Sequence, residues 1–225
     1  MLTTAATDLE RRARQTRGRS HAAIYDLVAS LLAERGATGT VVDVGCGTGC
    51  LWRALQRRFS RCIGIDAIRY DELSADVEFR RADLDRDPLP LEDAGVDVAL
   101  AVEVIEHLEN PRAFVRELTR VVRPGGWIVI TTPNQLSLLS LLTLAVKSRF
   151  SAFQDNAYPA HRTALLEIDL RRIAAECGLE AVDVRYTCQG RLPFTSRHVP
   201  HGIAQAAPRW WSDNVAMIAR RPAAR

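Results

Sequence analysis

The stretch Asp43-Val44-Gly45-Cys46-Gly47-Thr48-Gly49 constrains this chain more than any other. It closes the short apolar run TVVDV and comes just before LWRALQRRF, a helix-forming segment, so a buried strand must turn into a helix through three glycines. Glycines at such a turn let the backbone come against a ligand, and the unpaired amides at the helix start favour a negatively charged group. The spacing is GxGxG, whereas dinucleotide-binding turns usually read GxGxxG. Asp66 ends the second apolar run, RCIGID, about twenty residues on, where an acid accepts hydrogen bonds from ribose hydroxyls. Asp83 ends a third run, VEFRRAD, with a carboxylate able to accept from an exocyclic adenine amine. An adenosine moiety is the simplest ligand that uses both acids.

The rest of the chain extends this alternation. VDVALAV is a fourth strand, PRAFVRELTRVV a helix opening on a favoured proline, and WIVITTP a fifth strand. The apolar runs are continuous and interleaved with helices, the pattern of a mostly parallel sheet covered on both faces. Residues 20–35 form a leading amphipathic helix, with Ser20 expected as its N-cap and Gly36 as its stop. After Asn134 the alternation pauses for about thirty residues, too long for an ordinary connection, so this stretch is expected to cap the site. Its run Leu136 to Val146, LSLLSLLTLAV, is expected to be a buried helix packed on the sheet, with lipid recognition as the alternative. ALLEIDLRRIAAECG, EAVDVRYTC and NVAMIARR then supply a helix and two strands, and Gln189 to Ser212, with Pro193, Pro200, Pro208, Trp210 and Trp211, is expected to be an irregular loop. The two tryptophans suit a pocket wall or edge packing.

Composition sets the outer limits. At 225 residues the chain fits one domain, and 47% hydrophobic with 25% charged residues excludes whole-chain disorder, collagen and coiled coil. The net charge of +3 argues for no nucleic-acid or membrane partner by itself. Lys147 is the only lysine among 30 basic residues. Five cysteines, Cys46, Cys50, Cys62, Cys177 and Cys188, form no CxxC pair, which fits a reducing compartment. The arginine-rich start, with Arg11, Arg12, Arg14, Arg17 and Arg19, lacks a signal-length apolar stretch and reads as a solvated helix face. The most apolar run is 11 residues long, short of the roughly 20 that a spanning helix needs. A cytoplasmic protein is the expectation.

Five blocks together resemble the class I S-adenosylmethionine-dependent methyltransferases, especially the small bacterial type similar to ubiquinone-pathway O-methyltransferases. They are VVDVGCGTG at 41–49, CIGIDA at 62–67, RRADLDRDPLP at 80–90, EVIEHLENP at 103–111 and RVVRPGGWIVITTPN at 120–134. The resemblance implies a Rossmann-like α/β fold with a seven-stranded, mostly parallel sheet. It also implies S-adenosyl-L-methionine as cofactor. Asp43, Gly45, Cys46, Gly47 and Gly49 would then lie at the methionine part, Asp66 and Ala67 at the ribose, Asp83 and Leu84 at the adenine, and Glu103 beside the amino acid portion. Asp43 equally suits a purely structural role in the loop, and Cys46 and Cys50 suit packing. A single methyltransferase domain over 1–225 is expected, with a helical segment at 1–36, a cofactor-binding core at 37–134, a cap insertion at 135–163 and the remainder of the fold at 164–225.

Glu103, Glu106 and His107 form ExxEH, which on a helical turn would share one face and could hold a divalent cation. Some relatives resemble this motif and use it with a metal, and many others do not, so no metal is the first expectation and this trio the alternative. His107 and His161 are the candidate bases for removing a proton from an acceptor hydroxyl. The expected reaction is methyl transfer to a hydroxyl of a small molecule, with no nucleic acid involved. A nicotinamide-dependent oxidoreductase or a non-catalytic partner-binding relative are the alternatives.

Overall fold

The computed structural model describes Glu10, Ala13, residues 17–193, Thr195 and residues 197–224. Arg11, Arg12 and Arg14, expected on a solvated helix face, lie outside the described residues. The elements run α1 (Ala22–Glu34), β1 (Thr40–Val44), α2 (Cys50–Leu55), β2 (Arg61–Asp66), β3 (Val77–Arg81), β4 (Val96–Val102), a 3-10 turn (Ile105–His107), α3 (Pro111–Val121), β5 (Val122–Pro133), α4 (Leu138–Lys147), a 3-10 turn (Asp155–Ala157), α5 (Glu167–Glu176), β6 (Glu180–Tyr186), α6 (His201–Ala206) and β7 (Asn214–Arg220).

All seven strands join one sheet in the order β3-β2-β1-β4-β5-β7-β6. β1 to β5 pair in parallel, and β7 runs antiparallel between β5 and β6. This is the Rossmann-like architecture expected from the sequence. Because successive strand residues point to opposite faces, each strand feeds two cores. Val42, Val44, Ile63 and Ile65 belong to one core with Phe114, Val115 and Leu118 of α3 and Leu170 and Ile173 of α5. Val41, Cys62, Val98 and Leu100 pack with Val28, Leu31 and Leu32 of α1 and Leu51 and Leu55 of α2. The strand order reverses between β1 and β4, and the crevice beyond the carboxyl ends of strands at such a point is where open α/β sheets take their ligands.

The structure corrects several local expectations. The N-cap of α1 is His21, whose Nδ1 accepts from the Ala23 amide, while the Ser20 amide donates to the Tyr25 hydroxyl. β5 starts at Val122 instead of Trp127, because Val122 pairs with Val96 and an irregularity before Val98 absorbs the Pro124-Gly125-Gly126 turn inside the strand. The loop between β6 and β7 carries α6 and an isolated Arg191–His198 bridge, so it is partly regular. The larger correction concerns α4. Ser140 is its only buried residue, and Leu142, Leu144 and Val146 are 38%, 37% and 76% exposed. The two faces of the sheet are already covered by α1 with α2 and by α3 with α5, leaving α4 no apolar surface to complete.

Candidate active site

A cavity of about 470 Å³ opens over the carboxyl ends of β1, β2 and β4. Gly45 follows β1 at φ +79°, and a Cβ there would meet Cγ2 of Val104 at 2.4 Å, so bare backbone must form this part of the wall. The Gly45 amide donates to the Ile65 carbonyl at 2.7 Å, which ties the glycine turn to β2. Asp66, at the end of β2, accepts from the Gly47 amide at 2.9 Å through one oxygen and from its neighbour Ala67 at 2.7 Å through the other. A carboxylate has about four acceptor sites, so these bonds aim Asp66 without exhausting it. Burial raises its pKa, and the amides of Gly47, Ala67 and Ile68 pull it back down.

Six of the ten residues expected at the cofactor line this cavity: Gly45, Asp66, Ala67, Asp83, Leu84 and Glu103. The other four stand behind the wall. Asp43 is buried under the glycine turn, where burial and then the charge of Asp66 push its carboxyl up to about 7. Cys46 packs in the core shared by α1 and α2. Gly47 faces Gly18, close enough that a Cβ on it would lie 2.4 Å from the Gly18 Cα. Gly49, at φ +73°, is the N-cap of α2. All five cysteines are free thiols. The Gly18 contact was not visible in the sequence. It brings the approach to α1 across the glycine turn, so that Gly18, Arg19 and Ser20 close one side of the cavity.

The opposite side comes from the turn after β4 and from the segment after α4. Glu103 has φ +55°, a conformation unusual for a residue with a side chain, and only Ile105–His107 turn helically. Glu103, Glu106 and His107 therefore do not share one helical face as expected. The Glu103 carboxylate instead accepts from the Thr131 hydroxyl at 2.9 Å and from Nδ2 of Asn214 at 2.8 Å. Burial pushes its carboxyl up to about 7, against the pull of those two bonds. Glu106 is fully buried, and neither of its carboxylate oxygens has a hydrogen-bond partner of normal geometry among the described residues. Burial, reinforced by Glu103, holds its carboxyl well above the usual range.

His107 and His161, far apart in sequence, meet here with ring centroids 4.8 Å apart, edge to face. Backbone contacts zip their two segments together: the amides of Arg162 and Thr163 donate to the Glu106 carbonyl at 2.9 and 3.0 Å, and the Thr163 hydroxyl to the Leu108 carbonyl at 2.7 Å. Nδ1 of His107 lies 2.8 Å from the Ala160 carbonyl and Nδ1 of His161 lies 2.7 Å from the Ala152 carbonyl. A carbonyl only accepts, so both Nδ1 atoms carry a proton, and in the neutral form of either ring Nε2 is the acceptor. Burial lowers the pKa of His161, against the pull of its contact with the Ala152 carbonyl, and so favours the neutral ring. Ligand atoms of Glu106, His107 and His161 all lie within 4.8 Å of one another. His161 thus replaces Glu103 in the group that could hold a cation. Trp210 and Trp211 line no part of the cavity.

Asn214, Thr131 and the full burial of Glu106 were not among the sequence expectations. ExxEH marked Glu106 only by pattern, and nothing local marks Asn214, which reaches Glu103 because β7 inserts beside β5. Asn214, His21 and Ile24 also border a smaller cavity of about 150 Å³.

Residues 12–184 match the model of a family described as a methyltransferase domain. A probable S-adenosylmethionine-dependent methyltransferase of Mycolicibacterium smegmatis is 33% identical over 168 residues, covering 71% of this chain and 59% of that protein. A ubiquinone biosynthesis O-methyltransferase of Maricaulis maris is 29% identical over 106 residues, 43% of this chain and 41% of its own length. The chain thus spans about half the length of the curated relatives it matches. Among solved structures, the 1,6-didemethyltoxoflavin-N1-methyltransferase of Burkholderia thailandensis superposes over 97% of this chain and 87% of its own, at 17% identity and a TM-score of 0.65. The [4+2]-cyclase SpnF does so over 88% and 81%, at 22% identity and 0.58. Likeness at these identities is a likeness of fold.

Proposed function

The chain belongs to the methyltransferase-domain family, in the class I S-adenosylmethionine-dependent group, and from that premise we propose that it methylates a hydroxyl of a small molecule. The observation that carries this reading is the pair of histidines with acceptor Nε2 atoms on the same cavity as Gly45, Asp66 and Glu103.

When bound, S-adenosylmethionine supplies an electrophilic methyl on its sulfonium. Asp66 would accept from the ribose hydroxyls, and its amide contacts from Gly47 and Ala67 keep it aimed. Asp83 and Leu84 would face the adenine, the bare backbone at Gly45 would admit the methionine part, and Glu103 would face the amino acid end. Asp43, Cys46, Gly47 and Gly49 act from behind this wall by holding the glycine turn in shape. Residues 135–163 cap the site through Ala160 and His161. As the acceptor oxygen attacks, its proton passes to Nε2 of His107, with His161 beside it as the second candidate. Holding the two reactants in line away from water supplies the larger part of the acceleration.

A labelled-methyl assay tests this reading. Hydroxylated aromatic and aliphatic compounds are offered beside the matched amines, and label is expected in methyl ethers. Label confined to methylamines, or to nucleic acid offered in parallel, overturns it.

A divalent cation is the second reading, favoured by Glu106, His107 and His161, since the buried Glu106 carboxyl and two backbone-tethered imidazoles form a donor set that such an ion suits. The ion would lower the pKa of the acceptor hydroxyl. Turnover that survives chelation unchanged removes this reading and leaves the histidine base.

A further inference from the structure

The start of β7 is clamped to the end of β5 by side chains that reach across the sheet. Nδ2 of Asn134 donates to the carbonyls of Arg209 and Ser212 at 2.8 and 2.9 Å, and the Asn134 amide donates to the Asp213 carbonyl at 2.8 Å. Asn134 is 6% exposed and Ser212 fully buried. Asn214, next in the chain, pairs with Pro133 in the antiparallel ladder, so its backbone has little freedom. Its side-chain amide points to Glu103, 111 residues away, and both residues line the main cavity.

Glu103 needs such a partner. Its backbone is in the left-handed region, which a residue with a side chain keeps only where the surrounding structure holds it there. Thr131 supplies one side of that hold, accepting from the Glu103 amide at 3.0 Å and donating to its Oε1 at 2.9 Å. The other oxygen has Asn214. Thr131 alone would leave the carboxylate free to swing about its last bond, and the second bond fixes its plane.

We propose that Asn214 is a positioning residue for the cofactor: by gripping Oε2 of Glu103 it presents the carboxylate to the amino acid end of the bound cofactor. This rests on the reading of Glu103 given above. An acid held on two sides meets a ligand ammonium without first being ordered, so the benefit falls on ligands that carry the amino acid group and not on those that lack it.

The test compares S-adenosylhomocysteine with 5′-methylthioadenosine, which has no amino acid end, by calorimetric titration of the full chain. Asn214→Ala is expected to weaken S-adenosylhomocysteine about 10-fold, as the loss of a hydrogen bond to a charged group does, and to leave 5′-methylthioadenosine within about two-fold. The isosteric Asn214→Asp, which keeps the shape but loses the donor, is expected to lose at least as much, and it stands in if the alanine variant does not fold. The double variant Glu103→Gln/Asn214→Ala is expected to be no weaker than Glu103→Gln alone. Equal losses for the two ligands mean a merely structural role and overturn the proposal. Retained affinity in both Asn214 variants, with a loss in Glu103→Gln, overturns the role of Asn214 alone. Retained affinity in Glu103→Gln overturns the reading of Glu103 and the proposal with it.

Discussion

The two walls of the cavity are built on different principles. Gly45, Asp66 and Glu103 stand at strand ends, where the Ile65 carbonyl holds Gly45, the Gly47 amide holds Asp66, and the side chains of Thr131 and Asn214 hold Glu103. His107 and His161 stand on two connecting segments that hold each other through carbonyls at Glu106, Leu108 and Ala160. The first wall is part of the sheet and presents acids and bare backbone. The second can change its loops without disturbing a strand, and it carries the imidazoles. On the proposed reading, cofactor affinity belongs to the rigid wall and proton chemistry to the adaptable one, a division that lets one scaffold serve many acceptors.

That division breaks most sharply under substitution at His107. Alanine there is expected to cut turnover by about 10²- to 10⁴-fold while S-adenosylhomocysteine affinity stays within about two-fold. Lost affinity with unchanged turnover at saturation would place His107 on the other wall. Asp66→Ala should do the reverse, weakening S-adenosylhomocysteine by about 10- to 100-fold in a titration, the value of a charge-assisted bond. An affinity equal to wild type takes Asp66 away from the ribose.

Core and surface helices also differ in what they contribute to stability. Leu118 is fully buried behind β4, so Leu118→Ala should cost about 2–5 kcal/mol in denaturant unfolding. Leu144→Gln, on the exposed α4, should fall within about 0.5 kcal/mol, and a larger loss would mean that α4 packs more tightly than its exposure indicates. Asp43, beneath the rigid wall, gives a pH signature between these two. Its carboxyl is raised to about 7 in the fold against about 3.9 unfolded, so the folded state holds the extra proton and loses stability as pH rises through that window. Asp43→Asn has no such loss, and its melting temperature should gain on wild type between pH 5 and 8 by several degrees. A constant difference across that range would show that Asp43 titrates normally.

Helices α3 and α4 show where the sequence could be read and where it misled. PRAFVRELTRV alternates charge with apolar residues at helical spacing, and Phe114, Val115, Leu118 and Val121 do face the sheet, with Asn110 capping the Ala113 amide at 3.0 Å. LLSLLTLAVK is far more apolar and buries only Ser140. Composition measures what a helix could bury, and the surface left uncovered by its neighbours decides what it does bury. ExxEH shows the same limit at the site. The motif located the residues, yet the left-handed backbone at Glu103 sends its carboxylate to Thr131 and Asn214 and leaves Glu106 with the two histidines.

From sequence alone the alternation of buried runs and helices determined the sheet, because continuous apolar strands are stable only when covered on both faces. The three glycines after β1 marked where backbone could lie bare at the cavity wall, and Asp66 at the end of β2 and Asp83 just past β3 gave the expectation of an adenosine moiety, since strand ends carry their side chains to one edge of the sheet. The meeting of His161 with His107, the approach of Gly18 to Gly47 and the reach of Asn214 to Glu103 were decided by the tertiary structure. These contacts join residues tens to more than a hundred positions apart, and their geometry depends on strand order and loop path, which leave no periodic trace in the local sequence.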